Sequence, residues 1–323
     1  MRVLSDTDVA SLLDLEALLP VVESAFLAQG RGEVERPERP HFPVGVGLDE
    51  TAPGDSLGTG LVMPAYVHGS EYYATKLAAV HEGNAARDLP TVNATIAVFA
   101  AQTGLPIAYL AGTRVTNART GCIGGLAVHA LASETPVRLA VIGGGAQARW
   151  QTRAIGAAVD VDDVRVYSPN SREACAADLR TAGFDAEAVD SPAAAVRDAT
   201  VVVTTTPSTE PVFDGDDLAP GTLVVAVGAY TTEMRELDAR TVERTGLVVA
   251  DVPEEAVTVG DLAAAGVTEV PPLSAVFEGE LGRSSSEEII VVESVGSAVL
   301  DVATAGWLVD RAESRAVGSV VDL

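Results

Sequence analysis

Leu139-Ala140-Val141-Ile142-Gly143-Gly144-Gly145-Ala146-Gln147-Ala148 is the stretch that decides how this chain is read. Four apolar residues make a strand, three glycines break it, and an apolar-periodic stretch over 146–158 follows as a helix. The pattern is G-x-G-x-x-A at a strand-to-helix turn. Gly143 permits the tight turn, Gly145 lets the backbone approach a pyrophosphate, and Ala148 lets helix and strand pack closely. A pyrophosphate suits that helix N-terminus, where free N–H groups and the dipole favour an anion. Gly143, Gly145, Ala146, Gln147 and Ala148 are therefore the first candidate cofactor residues. The competing reading is a glycine-rich turn in an α/β domain without ligand. The motif alone is weak, but here strand, helix and a following strand are all present.

The following strand, Val164-Arg165-Val166-Tyr167, ends at Ser168. A site specific for NAD places Asp or Glu there, on the ribose 2′-hydroxyl. This chain offers Ser168-Pro169-Asn170-Ser171-Arg172 instead. Hydroxyls, an amide and an arginine suit a 2′-phosphate that a carboxylate would repel. Ser168, Asn170, Ser171 and Arg172 thus predict NADP(H) as the preferred cofactor, with NAD(H) as the alternative. Arg172 also has an ordinary reading, as a first-turn helix residue.

Outward from the glycine turn, the alternation continues. Strands are expected at 138–143, 164–168, 199–204, 222–228 and 246–251, with helices at 118–131, 146–158 and 171–182. Strands alternating with helices mean a parallel sheet with crossover helices. Before residue 116 the pattern differs. A helical stretch over 7–29, capped by Ser5 or Asp6, contains Pro20 and should kink or split there. Residues 30–58 read as a loop. Short apolar runs at 60–66, 72–80, 94–100 and 107–111 read as a mainly antiparallel sheet. The fold class is α/β: a Rossmann-type parallel-sheet domain (117–301) plus an α+β N-terminal dimerisation and substrate domain (1–116 with 302–323).

The 323 residues carry 46 Asp plus Glu against 21 Lys plus Arg, a formal charge of −25. Clustered phosphate contacts need Lys and Arg, so nucleic acid is excluded as a partner. Such charge self-repels in dilute buffer and is screened at molar salt, which suggests a halophilic protein, with an ordinary acidic enzyme as the competing reading. No apolar run approaches the roughly 20 residues of a membrane helix, and the N-terminus lacks the apolar core of a signal peptide. The expectation is a cytoplasmic protein with no membrane contact. Cys122 and Cys175 offer neither a disulfide framework nor a metal spacing.

Lys76 is the only lysine. Lysine is a compact point charge whose pKa moves on burial, whereas arginine stays charged and planar. One retained ammonium among arginines suggests a site that needs a tunable proton. The bland alternative is a lysine that survived compositional drift.

Met63-Pro64-Ala65-Tyr66, Lys76, Leu89-Pro90-Thr91, Arg119-Thr120, Gly143 to Ala148, Gly228-Ala229, Glu236-Leu237-Asp238, Glu293-Ser294-Val295-Gly296 and Asp301 together resemble the ornithine cyclodeaminase/mu-crystallin family. The resemblance spans most of the chain. It implies a homodimer formed through the N-terminal sheets, and a last helix that returns to the first domain. It also implies that Lys76, Thr91 and Arg119 bind a small carboxylate substrate. Arg36 and Arg39 both qualify as a further family arginine, and Arg39 is the choice. Thr206 and Val227 join the cofactor set. Cyclodeaminases and alanine dehydrogenases of the family carry an aspartate two positions after the glycine matching Gly228. Here Tyr230 stands there. A phenol donates a proton more readily than it accepts one at neutral pH, which suits imine reduction. Lys76 and Tyr230 are the catalytic candidates, and a packing role competes for Tyr230. The expected activity is NADP(H)-dependent reduction of a small, cyclic α-imino acid. Ornithine cyclodeamination (L-ornithine to L-proline plus ammonia, with NAD), alanine dehydrogenase activity and non-enzymatic binding of a small carboxylate are the alternatives.

Overall fold

A computed structural model describes residues 1–87 and 89–322. The chain runs β1 (Arg2–Leu4), α1 (Asp6–Leu12), α2 (Leu15–Gly30), β2 (Val34–Glu35), β3 (His41–Val44), β4 (Gly58–Val67), β5 (Tyr72–Val80), β6 (Val92–Ala100), β7 (Pro106–Ala111) and α3 (Gly112–Leu131). It continues through β8 (Val137–Ile142), α4 (Ala146–Ala158), β9 (Val161–Tyr167), α5 (Arg172–Thr181), β10 (Ala186–Ala188), β11 (Val201–Thr204) and β12 (Leu223–Ala226). It ends with β13 (Thr245–Ala250), β14 (Ile289–Glu293), α6 (Ala298–Ser314) and β15 (Ser319–Val320). Shorter helical turns lie between β10 and β14. Among the described residues, no helix is long and apolar enough to cross a membrane.

The chain forms two units. The first holds Met1–Asp14, Arg31–Arg119 and the chain from Ala298 onward; the second holds Leu15–Gly30 and Thr120–Ser297. Residues 15–30, which the sequence pattern places in the first domain, thus pack in the second. Leu18, Leu19, Val22, Ala25 and Phe26 are buried. The Phe26 ring lies 5.6 Å from Phe277, and Gln29 Nε2 donates to the Asp251 carbonyl at 2.7 Å.

In the first unit the sheet order is β15-β1-β7-β6-β5-β4-β2, with β3 also on β4. All pairings are antiparallel except β1 with β7. Met63, Lys76 and Ile96 stand in register across β4, β5 and β6, as do Ala65, Ala74 and Val98. All six are buried on the one face, because alternate residues of a strand share a face. Helix α6 packs across β4, β5 and β6. The loop expected at 30–58 contains two short strands, both on the outer edge of β4. β2 pairs with Tyr66 and Val67, and β3 with Gly58 to Leu61. Residues 36–40 interrupt that edge, and the Pro40 carbonyl accepts from the Val62 amide at 3.0 Å.

Ser5 caps α1 through a capping box with Asp8, which satisfies N–H groups that a helix start leaves free. The helical stretch splits at Leu13, whose backbone is extended, and not at Pro20, which lies inside α2.

The second unit is one parallel sheet in the order β10-β9-β8-β11-β12-β14-β13. β11, β12 and β14 are buried along their whole length, as covered parallel strands must be. β14, whose run Ile289–Glu293 was not read as a strand, inserts between β12 and β13. Strand order reverses between β8 and β11, and in such sheets the crevice at the strands' C-terminal ends takes ligands.

Candidate active site and dinucleotide cradle

Lys76 and Arg119 are 3 % and 4 % exposed, and both reach Asp301, which is 1 % exposed. Lys76 Nζ donates to Asp301 Oδ2 at 2.6 Å, and Arg119 Nε to Oδ1 at 3.1 Å. Thr116 Oγ1 adds a longer bond to Oδ1 at 3.3 Å. Three elements build this cluster. β5 presents Lys76 to the buried face. α3 begins six residues earlier than the pattern suggested, at Gly112, so Thr116 and Arg119 share one helix at (i, i+3). α6 brings Asp301 in its first turn, where a helix favours negative charge.

Burial pushes Lys76 down to about 8; Arg119 and Arg39 act the same way, and Asp301 opposes them. Burial pushes the Asp301 carboxyl up, but Arg119 and Lys76 outweigh it and hold the group below its usual value. Arg119 Nη1 is buried with no acceptor among the described residues. A buried unpaired donor costs about 1–3 kcal/mol, so this guanidinium edge is primed for an anion. The cluster of two cations and one carboxylate is the group a small carboxylate would complete.

Arg39 is close enough to weaken the charge on Lys76, whereas Arg36 is not among the charges acting on it. Arg39 adjoins Pro40, whose carbonyl accepts from Val62, the residue before Met63, and Met63 pairs with Lys76. Thr91 does not join the cluster. It is exposed ahead of β6, five residues from Ile96, the partner of Lys76, roughly 16 Å along the strand. Tyr230 belongs to the second unit, on the loop after β12, and is 38 % exposed.

The second unit carries the glycine turn. Gly143 has φ +123°, and a Cβ there would lie 2.4 Å from Thr205 Oγ1. At Gly144 a Cβ would meet Ser171 Oγ at 2.3 Å, while at Gly145 it would meet nothing within 4 Å. Gly145 caps α4 without a side-chain bond, and a Cβ there would point into open space at the start of the helix. Ala148 is fully buried against the sheet. These features fit a pyrophosphate. Arg149, which sequence reading missed, donates Nη1 to the carbonyls of Gly144 and Gly145 at 2.7 and 3.0 Å and fixes the turn.

Past β9, Ser168 Oγ lies 3.0 Å from Ser171 Oγ, and Asn170 is exposed. Arg172 pairs with Asp190 at 2.9 Å. At the next crest, the Val227 amide donates to the Thr204 carbonyl at 3.0 Å. Thr206 is held by Glu236, also assigned no role from sequence. Glu236 is fully buried and accepts from Thr206 N, Gly228 N and Thr204 Oγ1. Burial pushes its carboxyl up to about 7 despite those bonds.

Residues 1–316 match the model of the ornithine cyclodeaminase/mu-crystallin family. The chain is 31 % identical over 328 residues to an alanine dehydrogenase of Archaeoglobus fulgidus, covering 99 % of this chain and 97 % of that one. It is also 31 % identical over 337 residues to a Δ1-pyrroline-2-carboxylate reductase of Bacillus cereus, covering all of both. The solved Δ1-pyrroline-2-carboxylate reductase of Thermococcus litoralis, in complex with NADH and L-proline, superposes with a TM-score of 0.91 at 30 % identity. That match covers 99 % of this chain and 100 % of the other.

Proposed function

The chain belongs to the ornithine cyclodeaminase/mu-crystallin family, and from that premise we propose that it reduces a small α-imino acid with a nicotinamide cofactor. The buried cluster of Lys76, Arg119 and Asp301 carries this reading. A C=N bond is reduced when its carbon takes a hydride and its nitrogen a proton. A bound reduced nicotinamide supplies the hydride. Arg119, with Arg39, holds the substrate carboxylate in a planar, charge-assisted grip. The proton comes from Lys76 or Tyr230. Thr91 contributes to the substrate site only through a rearrangement of the segment before β6.

Gly143, Gly145, Ala146, Gln147 and Ala148 hold the pyrophosphate, and Thr206 and Val227 line the nicotinamide end. Ser168, Asn170, Ser171 and Arg172 favour NADP(H) over NAD(H), since Ser168 and not a carboxylate stands at the end of β9. Cyclic imino acids are the favoured substrates, in line with the two pyrroline-2-carboxylate reductases to which the chain is similar. The protein acts as a homodimer. The face of the first sheet that leaves Tyr73, Leu77 and Tyr109 exposed supports this, and molar salt screens the −25 charge of each protomer.

The test is cofactor oxidation at molar salt. NADPH and NADH are each paired with pyrroline-2-carboxylate, piperideine-2-carboxylate, or pyruvate plus ammonia. Imine-dependent oxidation lost in Lys76→Ala supports the reading. Oxidation with pyruvate and ammonia alone would make the protein an alanine dehydrogenase. Ammonia released from L-ornithine with NAD, and no imine reduction, would replace the proposal with cyclodeamination.

A further inference from the structure

We propose that Asp301 is the positioning residue of this site: it divides its carboxylate between Lys76 and Arg119, keeping the ammonium charged for proton delivery to the substrate nitrogen and turning the guanidinium so that Nη1 is left for the substrate carboxylate. The inference rests on the reductase reading and adds to it the group that sets the protonation of the lysine.

The geometry separates the two tasks. Asp301 Oδ2 faces Lys76 Nζ at 2.6 Å, and Oδ1 faces Arg119 Nε at 3.1 Å. Asp301 thus engages the side edge of the guanidinium, and Nη1 stays buried without an acceptor among the described residues. The charged groups acting on Lys76 are Asp301 from α6, Arg119 from α3 and Arg39 from the interruption between β2 and β3. Asp301 is the one anion among them. Burial and both arginines favour a neutral amine at position 76, and the carboxylate alone opposes them. In the reaction, the nitrogen–proton bond forms as the C=N π bond breaks and the carbon accepts hydride. Lys76 is left as a neutral amine and regains its proton from solvent.

The opposing reading is that Asp301 is only a buried counter-ion required for folding. The lone lysine provides a readout that this role would not move. Protein grown on [ε-13C]lysine gives one lysine Cε resonance, and its shift against pH reports the protonation of Lys76 directly. The wild-type midpoint is expected near 8. Asp301→Asn should move it to lower pH by about one to three pH units. Arg119→Gln should move it upward, because a nearby positive charge is removed, and Asp301→Glu should restore most of the wild-type value. The alkaline limb of kcat for imine reduction should follow the midpoint in the Asp301 variants.

A folded Asp301→Asn protein with an unmoved midpoint overturns the proposal. So does a kcat limb that ignores the midpoint. If Asp301→Asn does not fold at molar salt, the Arg119→Gln titration decides, and an unmoved midpoint there overturns the proposal equally. Absence of imine reduction in the wild type, with the midpoint shifts intact, removes the reductase reading and with it the proton-delivery role, while the pairing itself stands.

Discussion

Glu236 Oε2 accepts the Gly228 amide at 2.7 Å. The other oxygen of the same carboxylate accepts the Thr206 amide at 2.5 Å, so one buried side chain ties together the segments following β11 and β12. A Cβ at Gly228 would lie 2.2 Å from the Thr206 carbonyl oxygen and 2.6 Å from Glu236 Oε1, which explains the glycine. These segments carry Thr206 and Val227, both proposed to line the cofactor. Glu236→Ala should weaken NADPH binding about tenfold, equivalent to about 1.4 kcal/mol, as followed by the fluorescence of bound cofactor. An unchanged Kd would separate Glu236 from the cofactor site.

The same carboxylate makes stability fall as pH rises. In the unfolded chain Glu236 ionises near 4.5, and in the folded protein near 7. Between those values the folded state binds the extra proton, so unfolding becomes easier with rising pH. The two values imply about 3 kcal/mol across that window. Burial, with the charges of Asp261, Glu236 and Asp251, pushes Glu293 up as well, and this extends the decline. Below pH 4 the sign reverses, because Asp301 is held below its usual value and its contribution is lost on protonation. Thermal melts at fixed molar salt should show a maximum on the acidic side of neutrality, and Glu236→Gln should flatten the fall between pH 4.5 and 7.

Arg119→Lys tests the guanidinium edge. Lysine keeps the charge but not the planar fork. KM for the imino acid should rise about tenfold to a hundredfold, a loss of about 1.5–3 kcal/mol for a charge-assisted bond, while NADPH affinity holds. A KM within twofold of wild type would show that Arg119 does not grip the carboxylate.

Arg39 and Arg36 both lie between β2 and β3, but of the two Arg39 acts on the charge of Lys76. Arg39→Ala should raise KM for the imino acid and move the Lys76 midpoint upward, since Arg39 lowers it. Arg36→Ala should change neither. Equal effects in steady-state kinetics would remove the distinction.

Arg172 is neutralised by Asp190, whose side chain is 96 % exposed. Such an exposed pair is worth little, so a 2′-phosphate can compete for the arginine. Asp190→Ala should lower KM for NADPH and leave that for NADH unchanged, whereas Arg172→Ala should reduce the NADPH preference. The comparison is kcat/KM for the two cofactors; no change in either variant would leave the serines and Asn170 as the discriminating groups.

The sequence by itself determined the Rossmann-type unit, because its signals are local. A strand, a glycine turn and an apolar-periodic helix occupy 20 consecutive residues, Leu139–Ala158, and valine-rich runs need no distant partner to be read as buried strands. It also singled out Lys76 by composition and Arg119 by the family resemblance. It could not place Leu15–Gly30, since an amphipathic helix does not name the surface that buries it. It missed Ile289–Glu293, where four apolar residues before a glutamate lack period or turn signals. The tertiary structure decided the chemistry at Lys76. Asp301 lies 225 residues away in sequence, and nothing local marks one acid in the apolar run of α6 as the partner of a lysine on β5. The same holds for Arg39: it acts on Lys76 from a segment between two strands that both pair with β4, and that pairing depends on register between strands and not on the residues of the loop.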